Sequence, residues 1–225
     1  MRLRTLLRLL QVSDSAFPTG SFSHSMGLEA FAEAGELASA EDLRRLVGLY
    51  LRAMATSDCV ALRASWGAGL EGLIHTDHLL SAIKLSREPR AASSSMGKRF
   101  LLSVAALGVE EAVLECFTRA VRDGESPGNL AVGYGAAAPA LGLGPEDALI
   151  LYLFASAAAL VSAGQKLIPL GGSAAQRVLY ELGEEMEDAV GKSLELGPED
   201  MYAFAPEIDA RSMLHERQRT RLYIS

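Results

Sequence analysis

The sequence predicts an all-α protein, a single-domain bundle of about ten helices around one central apolar helix. Three observations favour this fold class. Alanine and leucine, both good helix formers, dominate a chain of 225 residues that is 49% hydrophobic but only 6% aromatic. No segment of useful length alternates apolar and polar residues, so strands are not predicted. The most apolar run, from 148 to 163, is short for a membrane span and suits a buried helix.

The first part of the chain contains three predicted helices and one polar loop. A short apolar helix spans 3–12, the loop follows, and a second helix runs from Phe22 to Ala34. Ser39 is placed to cap the third helix, because its hydroxyl can accept the N–H of Asp42. Behind this cap, apolar residues recur at the three- and four-residue spacing of a buried helix face: Leu43, Leu46, Val47, Tyr50 and Met54.

Glycine and proline mark the boundaries of the helices that follow. Pro145 suits the first turn of the central helix, and Gly108 ends an earlier one. The segment 164–172 interrupts the helical pattern. The predicted helices are 58–70, 76–84, 88–106, 109–121, 130–141, 145–163 and 173–194. Pro206 then begins a polar tail, so we expect a helical domain over 1–206 and a tail over 207–225 that orders on partner binding.

Composition and charge narrow the function classes. The net charge of −7 disfavours a nucleic-acid partner, which requires a basic surface. Cys59 and Cys116 form no CxxC pair and lie in helical patterns, as reduced thiols of cytosolic proteins do. The first residues lack the apolar stretch and cleavage site of a signal peptide. We therefore expect a cytoplasmic protein without a membrane partner.

Charge is also unevenly distributed along the chain. Residues 84–99 and the last fifteen residues are basic, whereas 181–200 is acidic. Two interpretations stay open at this point. The blocks are solvated helix faces and a loose tail, or they are complementary docking patches for protein partners.

The polar loop, 13–29, has the density of hydroxyl groups that an active site could use. A serine hydrolase would need Ser23 or a neighbour activated by His24 and a third group that orients the imidazole. The nucleophile-elbow pattern is absent, because Gly20-Ser21-Phe22 does not fit it. Serines at helix starts are usually caps, so this hydrolase is the less favoured alternative.

Nucleotide and metal sites are weakly indicated. Gly97-Lys98 is followed by Arg99 where a P-loop has Ser or Thr, and the small residues of 133–138 lack a preceding strand, so close helix packing explains them better. His75 and His78 could face one side of a helix and make the chain a metal carrier, but a stable site needs three or four ligands. We therefore predict no catalytic, cofactor or metal residues.

Several stretches together resemble one protein family. The loop 13–29, the segments 86–90 and 96–99, the motif SAGQKLIPLG at 162–171, and the last residues 213–225, ending RLYIS, occur in the order found in the UreF family of urease accessory proteins. The match extends over nearly the whole chain. The sequence is therefore similar to that family as a whole rather than in one motif.

This resemblance implies an all-helical, cytoplasmic chaperone without enzymatic activity. Members of the family dimerise, bind the accessory protein UreD (also called UreH), and with it recruit the GTPase UreG. The assembly assists nickel delivery into apo-urease. The expected partners are therefore these proteins and a second copy of the chain.

The tail is the first candidate partner surface. Its guanidinium groups suit bidentate pairing with carboxylates, and Arg221 is expected to anchor the tail on the UreD-type partner. The candidate residues of this segment are Arg211, Arg217, Arg219, Arg221 and Tyr223.

Two further candidates lie outside the tail. Lys166, with Pro169 and Gly171, follows the predicted central helix, and a rigid turn would present it to the GTPase; the alternative is a lysine whose stem covers a helix end. In the loop, Ser21 and His24 either contact a partner or hold the loop in shape.

Overall fold

The structure is a computed structural model that describes residues 3–218 and 221–225. Within these residues the chain forms twelve α-helices and no β-strand, which confirms the all-α fold class. Single 3₁₀ turns lie at Ser21–Ser23 and Pro198–Asp200. The helices are α1 (Leu3–Ser13), α2 (Leu28–Glu33), α3 (Ala40–Ala55), α4 (Asp58–Ser65), α5 (Leu70–Ile83), α6 (Arg87–Ala106), α7 (Ala112–Asp123), α8 (Leu130–Leu141), α9 (Pro145–Leu167), α10 (Gly172–Glu181), α11 (Gly183–Leu194) and α12 (Pro206–His215).

Helix α9 is the central apolar helix. It packs against α1, α2, α3, α4, α8, α10 and α11. Its length and its mean hydropathy of 1.7 over the most apolar window would suffice to cross a membrane, but 56% of that window is buried among the other helices. This burial is the behaviour of a core helix in a helical bundle.

Several predicted helix starts and ends are confirmed by the capping geometry. Ser39 and Asp42 form a reciprocal capping box at the start of α3, and Pro145 occupies the first turn of α9. Gly124 ends α7 in the left-handed conformation that favours glycine. Local sequence therefore determines these boundaries without help from distant residues.

Several predicted boundaries were wrong. The helix expected over 58–70 ends at Ser65, and the helix expected over 76–84 begins earlier, at Leu70. The helix expected from Phe22 begins at Leu28, because 24–27 leave the helical conformation to bond with the end of the chain. The pattern expected to stop at 163 continues to Leu167, since Gly164 lets α9 approach Leu43 closely. The predicted helix over 173–194 divides at Leu182 into α10 and α11.

A further difference concerns the segment that begins at Pro206. It is not a polar tail throughout, because its first ten residues form α12, which packs on α2 and α6. Ile208, Ser212 and His215 are the buried residues of this short helix. Their spacing of three and four residues is that of one helix face, which the surrounding charges obscure in the sequence.

Candidate partner-binding site

The serine-rich loop, residues 13–27, is held by its own polar groups. The Asp14 carboxylate accepts the N–H of Ala16 at 2.6 Å, and the Ser25 hydroxyl accepts the N–H of Gly27 at 3.3 Å. Such local bonds satisfy backbone groups where the chain turns. Part of the hydroxyl density that suggested an active site therefore serves the turns.

Met26 has the least usual backbone conformation in the loop. Its φ of 55° is the only positive value at a non-glycine position among the described residues. Its N–H donates to the Ser225 carbonyl at 3.0 Å, and its own carbonyl accepts the Tyr50 hydroxyl at 2.5 Å. Backbone strain of this kind persists only where surrounding contacts impose it. The end of the chain thus contributes directly to the shape of the loop.

The tail segment, residues 207–225, docks on this loop after α12. The Ile224 N–H donates to the Ser23 carbonyl at 3.0 Å, and the Ser25 N–H donates to the Ser225 carbonyl at 2.5 Å. An extended peptide bound through its backbone makes contacts of this type. The structure has the tail segment docked on its own chain; that a partner orders it stays a prediction.

Four ionisable side chains join the tail segment to α2 and α6. His215, with no exposed side-chain surface, contacts Glu88 through Nδ1 at 2.6 Å and Glu29 through Nε2 at 3.1 Å. Arg221 donates to the other oxygen of Glu88 at 2.8 Å. Glu29 in turn accepts the N–H of Leu222 at 2.7 Å. We call these four residues, Glu29, Glu88, His215 and Arg221, the tail cluster.

Lys166 lies beside the tail segment at the end of α9. It belongs to the last turn of the helix, where a cation is favoured by the helix dipole, rather than to a turn after it. Its Nζ is 5.8 Å from the centre of the Tyr223 ring, and the Tyr223 hydroxyl donates to the Ala163 carbonyl at 3.4 Å. Burial and the nearby Glu29 carboxylate raise the pKa of Tyr223. Lys166, Pro169 and Gly171 are all exposed.

His24 is buried and holds the loop against the tail segment. Its Nδ1 lies 2.7 Å from the Ser225 hydroxyl. Burial, and then the positive charge of Arg99, lower the pKa of His24 from its ordinary value of 6.5. The imidazole is therefore neutral at neutral pH and can act as either donor or acceptor toward the hydroxyl.

Four of the predicted site residues surround one cavity of about 140 Å³ between the loop, α9 and the tail segment. They come from three distant parts of the sequence: Ser21, His24, Lys166 and Tyr223. Small residues of α9, including Ala155, Ala159 and Ser162, form another wall. The tertiary structure thus brings the loop, Lys166 of the 162–171 motif and the tail segment, expected separately, into one site.

The remaining tail arginines differ in their surroundings. Arg211 donates to Glu36 through Nε at 3.1 Å and lies 5.7 Å from the Phe31 ring centre, so it already has partners within the chain. Arg217 is exposed. Arg219 lies outside the described residues.

The two alternative chemistries find little support in the geometry. His24 bonds with the tail segment rather than with Ser23. His75 contacts Glu199 at 2.8 Å while His78 contacts a backbone carbonyl, so the two rings serve different partners. Among residues 3–218 and 221–225, no group of three or more His, Cys, Asp or Glu side chains is arranged so that it could hold a metal ion.

Three residues of the site, Glu29, Glu88 and His215, were not predicted from the sequence. They are separated by 59 and 127 positions along the chain, and no spacing rule connects them. The available signals were their positions within the family-like segments 13–29, 86–90 and 213–225 and, for His215, an α12 face shared with Ile208 and Ser212. Recognising that face would have required predicting α12 as a helix.

Comparison with known proteins confirms the expected family. The UreF family model matches residues 37–183. A urease accessory protein UreF from Paenarthrobacter aurescens (strain TC1) is 36% identical over 220 residues, covering 97% of this chain and 97% of that protein. Proteins of the same name from Bacillus sp. (strain TB-90) and Haemophilus influenzae (strain ATCC 51907 / DSM 11121 / KW20 / Rd) are 30% and 32% identical, each over 99% of this chain and over 100% and 97% of their own length. The chain belongs to the UreF family of urease accessory proteins.

Proposed function

We propose that this chain is a cytoplasmic urease maturation chaperone. It assembles with a UreD/UreH-type accessory protein and a UreG-type GTPase and assists nickel insertion into apo-urease. It acts by protein contacts rather than by catalysis, and through those contacts it regulates GTP hydrolysis by its partner. The name of its relatives, urease accessory protein UreF, supports a role in urease maturation. Nickel is the cargo of this process.

The observation that carries the proposal is the single surface formed by the loop, the end of α9 and the tail segment. Lys166 is exposed on it, the exposed Pro169 and Gly171 follow in the chain, and Arg217 is a further exposed cation of the tail segment. Exposed guanidinium and ammonium groups next to a docked extended segment suit a partner with carboxylates on its surface. The buried members of the site, His24 and Tyr223, keep that surface in shape.

The test of the function is co-expression with a urease operon that lacks its own copy of this protein. Nickel-dependent urease activity is expected to return with the unaltered chain. Lys166→Ala should lower that activity while leaving the circular dichroism spectrum unchanged. Lys192→Ala is the matched control, because Lys192 is also an exposed lysine in the last turn of a helix. Full activation by Lys166→Ala would reject the proposed contact with the GTPase.

The role of Arg221 is tested by capture of the UreD-type partner. Arg221→Ala should weaken capture, because the guanidinium that orients Glu88 and the neighbouring tail backbone is lost. Arg122→Ala serves as the control, since Arg122 is an exposed, ion-paired arginine at the end of α7. Unchanged capture by Arg221→Ala would contradict the assignment.

The proposed homodimer is supported by an apolar stripe on α1. Leu3, Leu7 and Leu10 recur at helical spacing and are 73%, 58% and 56% exposed. An apolar face of this kind usually marks an interface, and an amphipathic helix can pair with its own copy about a twofold axis. Leu7→Glu should convert the dimer into a monomer in sedimentation experiments. A dimer that persists in this variant would place the interface elsewhere.

A further inference from the structure

The geometry points to His215 as the positioning residue that holds the tail segment docked, with both ring nitrogens donating N–H to buried carboxylates. The inference rests on the proposed function in one respect: the tail segment is taken to be part of the partner surface. It assigns to a single imidazole the task of orienting Glu29 and Glu88 toward the backbone and side chain of the tail segment.

The two carboxylates beside His215 each require an N–H donor from its ring. The two nitrogens of His215 lie 2.6 Å from Glu88 Oε2 and 3.1 Å from Glu29 Oε2. A neutral imidazole has one N–H, so one nitrogen would direct a lone pair at a carboxylate oxygen. A doubly protonated ring donates to both carboxylates. In a buried site, a carboxylate oxygen that faces a ring nitrogen without a proton loses its hydrogen bond, and this loss is costly. The site is therefore built for an imidazolium.

The tail cluster contains two carboxylates, and their negative charges need two positive charges nearby. Glu29 and Glu88 are carboxylates with 11% side-chain exposure each. Arg221 supplies one positive charge at 2.8 Å from Glu88, and an imidazolium supplies the second. A neutral His215 would leave one carboxylate uncompensated in a largely buried position, which proteins avoid.

Once they are oriented, the two carboxylates accept hydrogen bonds from the tail segment. Glu29 Oε1 accepts the N–H of Leu222 at 2.7 Å, and Glu29 Oε2 accepts the N–H of Tyr223 at 3.1 Å. Glu88 receives Arg221 on the oxygen that faces away from the ring. His215 thus fixes two carboxylates whose remaining acceptor positions bind the tail segment.

Comparison with Arg221 shows why the histidine is the decisive group. The Arg221 side chain is 30% exposed, whereas the side chain of His215 has no exposed surface. Water screens the exposed pair and reduces its contribution, while the buried pair is not screened. Loss of His215 should therefore loosen the tail segment more than loss of Arg221.

The protonation of the ring is tested directly on the full, unaltered chain. Nitrogen-15 NMR of its histidine rings at neutral pH should show both nitrogens of His215 with the chemical shifts of protonated imidazole nitrogens. His24, neutral by the argument above, is the internal control and should show one protonated and one unprotonated nitrogen. An unprotonated nitrogen in His215 would overturn the inference without the need for any variant.

The docking role is tested by hydrogen exchange of the Leu222 and Tyr223 amides. His215→Gln can donate to only one carboxylate, and exchange at these two amides should accelerate about tenfold or more. His78→Gln, an altered histidine away from the tail cluster, should leave their exchange unchanged. Protection retained in His215→Gln would overturn the inference.

Glu88→Gln supplies a second signature that a merely space-filling histidine would not produce. The glutamine oxygen still accepts from Nδ1, but one negative charge is gone, so the nitrogen-15 shifts of the His215 ring should move from those of the unaltered chain toward those of a neutral imidazole. An unchanged ring spectrum in Glu88→Gln would count against the charge argument. This variant also serves if His215→Gln fails to fold.

Capture of the UreD-type partner separates this inference from the proposed function. If His215→Gln releases the amides and still captures the partner fully, the positioning role stands and the tail contact of the proposed function fails. If the amides stay protected, the positioning role fails whatever the partner does.

Discussion

Gly135 offers a sharp test of how the helices pack. It lies in α8 where this helix crosses α4, inside the small-residue run that superficially matches a nucleotide-binding pattern. A Cβ added at this position would lie 2.3 Å from the Leu62 carbonyl oxygen and 2.7 Å from the Ser65 Cβ. Gly135→Ala therefore forces two helix backbones apart instead of displacing a flexible side chain.

The size of the effect follows from two opposing contributions. Alanine in a helix interior is favoured over glycine by about 1 kcal/mol. Overpacking against the main chain is at the upper end of the usual range, about 3 kcal/mol, which leaves a net loss of about 2 kcal/mol in the free energy of unfolding. For a chain of this size, the loss corresponds to a melting temperature lower by about 4–8 °C.

The assay is thermal and urea unfolding of Gly135→Ala beside Gly191→Ala. Gly191 lies in α11 with no atom within 4 Å of an added Cβ. There only the helix preference acts, so the melting temperature should rise by about 2–4 °C. A Gly135→Ala protein as stable as the parent would show that α4 and α8 are not held at this distance and would refute the packing argument.

Three further predictions concern buried polar groups. Asp77→Ala should lower the free energy of unfolding by about 3 kcal/mol or more, since Asp77 accepts bonds from donors across the 126–129 loop, which become unpaired; urea unfolding measures the loss. Tyr152→Phe should cost about 1.5–3 kcal/mol in the same assay, because it removes the hydroxyl that donates to Asp58 at 2.9 Å. The lowered pKa of His24 means that the unfolded chain binds this proton more readily, so the associated stability is present above about pH 6.5 and is lost as the pH falls. His24→Asn should therefore show a smaller decrease in unfolding free energy than the parent between about pH 7.5 and about pH 5.5; an equal decrease in both proteins would contradict the assignment.

Local chemistry accounts for most of the secondary structure that could be predicted. The capping box at Ser39, the proline that opens α9 and the glycine that ends α7 act within one turn of the chain. Each of these signals is therefore readable without knowledge of the fold. Two of the boundaries that were predicted wrongly depend instead on contacts between residues far apart in the sequence. The loop at 24–27 is shaped by bonds to Ser225, and α9 continues past Gly164 because of its contact with Leu43.

The candidate site also contains residues that sequence motifs predicted and residues that only the structure revealed. Ser21, His24, Lys166 and Tyr223 were predicted as members of separate motifs, and their common cavity emerged only in three dimensions. Glu29, Glu88 and His215 carried no motif that assigned them a role, because charged side chains far apart in sequence reveal a shared site only when the chain brings them together.

The sequence by itself therefore determined the helical class, the central apolar helix and the resemblance to the UreF family, since composition, short-range spacing and motif order are properties of the linear chain. The tertiary structure alone decided where the end of the chain lies and what holds it there. That result depends on burying His215 between two carboxylates, one from α2 and one from α6. Such contacts stabilise the protein only when distant segments of the chain pack together and exclude water from the site.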